Sequence, residues 1–349
     1  MSKKSNDYWI DRFKAEEEKM HKLGQIEVTG ATKEYDRAFN EIQKDISDWY
    51  TRIAKNNEIS YNDAKKLLNA KELDEFKWSI DEYIKKANEN KLNQAWIKEL
   101  ENASAKHHIE RLEAMKLQIA NQVENLYGER IHDMDNFLKN TFKDSYYNST
   151  FNIAKGTEIG KKIYALNSDL VNTIIHKPWS PDGVNFSERL WKDKNELINN
   201  LHADLTQAFI RGESPQKTIA RFSKRFDAKK SVASRLILTE SAAYQSVARQ
   251  KCYADLGVSE YQIISTLDLK TSEICQDMDQ KVFKLEDYKI GITANPFHPN
   301  CRSTTAPYFE DAEDIRVARG DEDANDGKTY EVAADMKYKD WYDKFVVKG

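Results

Sequence analysis

The sequence predicts a mainly α protein: a long-helix N-terminal half followed by an α+β C-terminal domain with a small sheet. Three observations carry that expectation. Residues 1–150 hold no proline and only Gly24, Gly30 and Gly128, so the usual helix breakers are nearly missing there. Apolar residues in this half recur at helical spacing, as in Tyr35, Phe39, Ile42, Ile46, Trp49 and Ile53, which step by 4, 3, 4, 3 and 4. After Gly257 the period turns extended, with YQIIST, KVFKL and STTAPYF rich in β-branched and aromatic residues.

Taken in order, the first seam gives one long helix. A break at Asn56-Asn57 follows, with Ser60 as the next N-cap, and Leu73, Phe76, Ile80, Tyr83 and Ala87 then repeat the spacing. A third run, Leu112, Met115, Ile119, Val123 and Leu126, ends near Gly128. A stripe of two positions in seven needs a partner helix, so residues 1–150 are expected to form an extended helical bundle or hairpin. Trp9, Trp49 and Tyr50 sit at seam spacing and read as core or staple residues. His107 and His108 point about 100° apart on a helix and so do not chelate one ion together.

Asn148, Ser149, Gly156, Gly160, Asn167 and the run Lys177 to Gly183 shift the composition, which places a linker or junction at 151–185. Residues 186–309 then form the α+β domain. In it Leu190, Leu197, Leu201, Leu205 and Phe209 make a stripe that stops at Gly212, and Ser214-Pro215 restarts a helix. On this helix Lys217, Arg221, Lys224 and Arg225 share one face, opposite Ile219, Phe222 and Phe226. A longer helix from about Lys230 to Leu256 ends at Gly257. Residues 310–349 read as an acidic, mobile tail with a short aromatic C-terminal segment.

Composition bounds the function. The chain has 349 residues, enough for two domains, and 32% of them are charged. No apolar run approaches the roughly 18 residues that span a bilayer, the N-terminus has no signal-peptide character, and three scattered cysteines point to a reducing compartment. Net charge is −4 but uneven: residues 211–256 carry ten Lys/Arg against four Asp/Glu, and residues 310–349 carry seven against twelve. The basic segment is either a contact for nucleic acid or an acidic partner, or an ordinary solvated helical face.

The chemically unusual residues concentrate between Ser265 and Pro307: Cys275, Cys301, and a His298-Pro299-Asn300-Cys301 turn. Cys275, His298 and Cys301, with Asp268 or Asp277 as a fourth ligand, offer a set for zinc. The competing reading is that His298 and the cysteines tie a hairpin by packing and hydrogen bonds. A Cys275–His298 nucleophile pair would need a base and an orienting carboxylate that the sequence does not show, and no Gly-rich phosphate loop accompanies Arg235 and Glu240. The expectation is therefore a protein that is not an enzyme.

These residues also carry a resemblance. The order TLDLKTSEICQDMDQKVF, a gap, then PFHPNCRSTTAP resembles the C-terminal domain of phage minor head proteins, the Mu F-like head morphogenesis family. Its pattern, D-x-R-T-C-x-x-C-x-x-L-D-G-K-V-F followed by H-P-x-C-R-C, is matched at Asp268, Thr271, Cys275, Asp279, Lys281, Val282, Phe283, His298, Pro299, Cys301 and Arg302. It departs at Lys270, Ser272, Gln280 and Ser303. Tyr8, Trp9 and Arg12, with the closing WYDKF, are similar to members from phages of Gram-positive hosts. The resemblance implies a minor head protein inside the capsid, made in the host bacterial cytoplasm. Implied partners are the portal protein, the scaffolding or major capsid protein, and non-specific double-stranded DNA through Lys217, Arg221, Lys224 and Arg225; no membrane is implied. The alternative from another class is a metal-dependent or toxin-like enzyme built on a Mu F-like domain.

Overall fold

The structure, a computed structural model, describes residues 5–53, 61–89, 94–106, 109–157, 166–309, 315–319 and 329–333. Among them run α1 (Asn6–Ile53), α2 (Tyr61–Ala64), α3 (Ala70–Glu89), α4 (Gln94–Ser104), α5 (Arg111–Thr157), α6 (Ser168–His176), α7 (Phe186–Ile210) and α8 (Pro215–Leu256). The small elements β1 (Glu260–Ile264), α9 (Glu273–Met278), β2 (Val282–Lys284) and β3 (Thr304–Pro307) follow, then β4 (Ile315–Arg319) and β5 (Thr329–Ala333). This is the mainly α architecture with a small late sheet that the periodicity predicts. The expected break at Asn56-Asn57, the Ser60 cap and the His107-His108 pair lie outside the described residues.

The helices are longer than the sequence suggested. α5 does not end near Gly128 but continues to Thr157, because Met134, Leu138, Phe142, Tyr146 and Ile153 extend its buried stripe past the glycine. One glycine costs only about 1 kcal/mol in a helix, far less than that burial returns. α8 is likewise one helix of 42 residues rather than two. It starts at Pro215 behind Ser214, whose carbonyl accepts from the amides of Lys217 and Thr218, and it ends at Gly257, with φ of +69°. At the head of α3, Asn69 and Glu72 form a reciprocal capping box: the Glu72 amide donates to Asn69 Oδ1 at 3.0 Å and the Asn69 amide to Glu72 Oε2 at 2.9 Å.

The chain forms two compact units that do not follow its linear order. One comprises residues 1–28, 135–185 and 235–349; the other comprises 29–134 and 186–234. Each therefore draws on both sides of the stretch 151–185, since α1, α5 and α8 each run from one unit into the other.

The second unit is all helical. Its core is aromatic, with Tyr35 edge-on to Tyr127 and Phe226 at 5.9 and 6.4 Å, and Tyr50 against Phe209 at 5.9 Å. Leu190, Leu197, Leu201, Leu205 and Phe209 of α7 are buried as their spacing requires. Trp49 is buried too and donates to Gln118 Oε1 at 2.6 Å.

The first unit holds the sheet, ordered β2-β1-β3 and antiparallel throughout, with Tyr261 opposite Phe283 on one side and Pro307 on the other. Tyr253 of α8 reaches this sheet, its hydroxyl donating to the Thr305 carbonyl at 3.1 Å. Trp9 is buried against Phe309 at 5.6 Å, a core position. Gly24 lets α1 approach α8: a Cβ there would meet Leu238 Cδ2 at 3.0 Å. The tail expected to be mobile contains β4 and β5, antiparallel partners with Ile315 opposite Ala333. Ile315 and Val317 in IRVAR and Thr329, Tyr330 and Val332 in TYEVA are residue types that favour strands.

Candidate metal centre and basic helix

The centre is assembled from the two loops that flank β2. Leaving β1, Ser265 donates its amide to Asp279 Oδ1 at 2.9 Å and its hydroxyl to the Cys275 carbonyl at 2.7 Å. Ser272, at a position where the family pattern has cysteine, serves as N-cap of α9 and accepts from the Cys275 amide at 3.4 Å. The chain then turns at Gln280, whose φ of +64° accounts for the glycine of the family pattern. Its amide still donates to the Ile263 carbonyl at 2.9 Å, which locks the turn onto β1. In the second loop Asn300, with φ of +60°, reverses the chain so that the Cys301 amide donates to the His298 carbonyl at 3.2 Å. The Asn300 amide donates to Thr239 Oγ1 of α8 at 3.3 Å, anchoring the turn to the helix.

Cys275, His298 and Cys301 converge. Cys275 Sγ lies 3.1 Å from His298 Nε2 and 3.6 Å from Cys301 Sγ, and all three ligand atoms lie within 4.8 Å of one another. A tetrahedral zinc with Zn–S of about 2.3 Å and Zn–N of about 2.0 Å places its ligands about 3.5–3.8 Å apart, within about half an ångström of the two Cys275 separations, 3.1 and 3.6 Å. His298 Nδ1 is 2.8 Å from the Pro299 carbonyl, a contact that fixes the proton on Nδ1 and turns the Nε2 lone pair toward the thiols.

The thiols share their titration. The hydrogen bond from Cys275, backbone hydrogen bonds with Phe297 and Ser303, and the Ser303 hydroxyl lower Cys301 to about 6 against the opposing effect of burial. Cys275 is raised, first by its hydrogen bond to Cys301 and then by burial. One proton thus stays on Cys275 while Cys301 takes thiolate character, the form a metal needs.

Neither aspartate joins this set. Burial works against Asp268, but the Arg302 guanidinium, the Lys270 amide and the Thr271 hydroxyl outweigh it and hold the carboxyl below the usual range. Arg302 Nη2 donates to Asp268 Oδ1 at 2.8 Å, so the carboxylate braces the loop instead of facing the thiols. Asp277 is exposed on α9 and outside the cluster. The Ser303 hydroxyl, which stands where the family pattern has cysteine, favours ionisation of both thiols. Sequence reading marked Ser303 only as a departure. Ser265, Asp279 and Thr239 were not singled out as supports, because their roles depend on loops meeting across the sheet.

The cationic stripe divides. Arg221 forks onto Glu213, and Arg225 Nε donates to Asp204 Oδ2 at 3.0 Å. Lys217 and Lys224 are exposed, with no ion pair among the described residues. Phe222 and Phe226 are buried opposite, as expected. Elsewhere in the basic segment Lys229 pairs with Asp193 and Glu196, Lys230 with Asp36 and Asp227, and Lys251 with Asp255. Much of its positive charge is thus neutralised at home.

Residues 199–306 match the family model described as Phage Mu protein F like protein. That segment is similar to the Mu F-like family over about a third of the chain's length. It takes in just under half of α7, all of α8, the three-stranded sheet as far as Ala306 and the Cys275–His298–Cys301 cluster. The chain is also similar to the NAD(+)–arginine ADP-ribosyltransferase EFV of Enterococcus faecalis (strain ATCC 700802 / V583), 24% identical over 218 residues. That covers 57% of this chain and 42% of the relative, so the chain spans less than half the relative's length. No solved structure matches. Among the described residues no helix is long and apolar enough to cross a membrane.

Proposed function

We propose that this protein is a bacteriophage minor head protein, acting in head morphogenesis at the portal from inside the capsid and made in the host bacterial cytoplasm. The observation that carries the reading is the Mu F-like match over residues 199–306, within which the motif residues Cys275, His298 and Cys301 converge. In this reading the protein is not an enzyme. Its partners are the portal protein, the scaffolding or major capsid protein, and packaged double-stranded DNA, the last reached through Lys217 and Lys224. Cys275, His298 and Cys301 hold a structural zinc that pins the two loops flanking β2, with Ser303 beside the remaining coordination position. The test is co-expression of the full chain with the portal protein of the same phage genome. Co-elution of the two through size exclusion supports the reading, and separate elution at micromolar concentration overturns the portal assignment.

A second reading, a toxin-like enzyme, is favoured by the name of the Enterococcus relative. An assay for transfer of ADP-ribose from NAD to arginine-containing protein decides it: turnover by the purified chain would replace the structural reading.

A further inference from the structure

Within the all-helical unit, α1, α3 and α5 line a half-open cavity of about 520 Å³ that neither the Mu F-like match nor the metal centre uses. Its size falls in the range of small-ligand sites, roughly 300–1,000 Å³. Two independent properties of its lining define what it would take.

The first is charge. Arg52 already holds Glu75 at 3.0 Å, and Arg111 holds Glu72 in a fork. Glu41, Asp45 and Asp48 of α1 and Glu82 of α3 remain, facing only Lys44 and Lys86, and none of the six has an ion pair among the described residues. Asp45 is the inner member, half-buried, and among the described residues its hydrogen-bond donor is the Gln122 side-chain amide of α5 at 3.4 Å, a long contact for a carboxylate. The second is aromatic surface. Phe76 and Trp49 form buried wall, Tyr83 stands beside them, and Trp78 lies at the mouth, 67% exposed. Aromatic faces combined with surplus carboxylates favour an organic cation over a metal ion: the carboxylates supply charge, the rings attract a cation through their faces, and both accommodate an alkyl chain. Nothing in the core explains an indole left in water at this place.

We propose that this cavity binds an alkylammonium group, with Asp45 and Glu82 as its anions and Trp78 closing over its carbon chain. The ammonium comes either from a free linear diamine or from the lysine side chain of a partner protein.

The electrostatics support the charge of the occupant. Burial, with Glu41 and Asp48 nearby, raises the Asp45 carboxyl to about 6, while Gln122 and Lys44 act in the opposite direction. Glu82 and Lys86 on α3 also face the cavity, and Tyr83 is held neutral by burial beside Asp45 and Glu41. A cation entering here therefore ionises Asp45 fully. Its binding is complete above about pH 7 and weakens as pH falls through 6.

The test uses the full chain and two probes, 1,4-diaminobutane and Nα-acetyl-lysine amide, by isothermal titration with indole fluorescence in parallel. One probe at least is expected to saturate a single site. That affinity should fall tenfold or more in Asp45→Asn/Glu82→Gln and at pH 5, and Trp78→Ala should remove the fluorescence change. A tenfold preference for the diamine identifies the free amine as the source; the opposite preference identifies a partner's lysine. The inference is overturned by absence of saturation up to millimolar probe, by unchanged binding in the double variant, or by magnesium displacing the probe far more strongly than monovalent salt of equal ionic strength. Because Asp45→Asn removes a buried charge, the variant is expected to stay folded, and its melt confirms this before titration.

Discussion

Lys217 and Lys224 set the magnitude of a DNA contact made by the cationic stripe near the start of α8. Four cations share the helix face, but Arg221 and Arg225 are held by Glu213 and Asp204, so two are available to displace counterions. Each phosphate neutralised on duplex DNA adds about 0.9 to the steepness of log affinity against log salt, so two contribute about 1.8. Changing Lys217 and Lys224 together to Gln should therefore lower the slope by about 2, and the advantage of the parent at 50 mM over 200 mM salt should shrink about tenfold. Changing Arg221 and Arg225 to Gln should leave the slope nearly unchanged and lower the melting temperature slightly, because Glu213 and Asp204 lose their partners. The assay is fluorescence anisotropy of a labelled 30-base-pair duplex across that salt range, with two unrelated sequences to establish that affinity does not depend on base order. A parent-like slope in the Lys217→Gln/Lys224→Gln protein would refute the reasoning, and so would an equal loss from the arginine pair, since the ion pairs would then be open in solution.

Three further outcomes follow from the first unit. Purified protein should carry about one zinc per chain, and Cys301→Ser should remove it and lower the melt; metal near zero in the parent with an unaltered melt in the variant refutes the zinc assignment. At Gln280, Gly should raise stability by about 0.5–1 kcal/mol while Val lowers it, as measured by urea denaturation, because the left-handed backbone there suits only the former. Glu16 and Arg249 form a buried pair at 3.5 Å in which Nε, Nη1 and Nη2 of the guanidinium have no well-formed hydrogen bond among the described residues. Arg249→Met should cost about 3–5 kcal/mol, and Glu16→Met/Arg249→Met should recover most of it. Burial already raises the Glu16 carboxyl, with Arg249 and Ser149 opposing. Without Arg249 that raised pKa rises further, so the single variant's deficit is small below the ordinary carboxylate range and grows as pH increases; a flat profile would show that Glu16 is not the charge being uncovered.

The helices were legible because their signals are local: Ser214-Pro215, Gly212 and Gly257 mark ends of α7 and α8 where they were read. Where the reading stopped short, at Gly128 and near Lys230, one weak helix former was outvoted by long-range burial that no local signal reports. The convergence of Cys275, His298 and Cys301 was legible as a set, since spacing in one short segment limits how far apart the loops can end. That neither aspartate completes it was not. Asp268 looks like a ligand until Arg302 is placed beside it, and Ser303 looks like a loss until its hydroxyl meets both thiols. The two units were not legible either, since helices running through both leave no break in composition at the boundaries.

The central claim is that the chain is a component of the phage head. Quantitative mass spectrometry of purified heads, assembled from the genome that encodes it and separated from tails and host protein, tests this most directly. The account predicts the full chain inside these particles at few copies per portal ring, retained after protease treatment of the exterior; its absence from heads while it accumulates in free form in the lysate would contradict it.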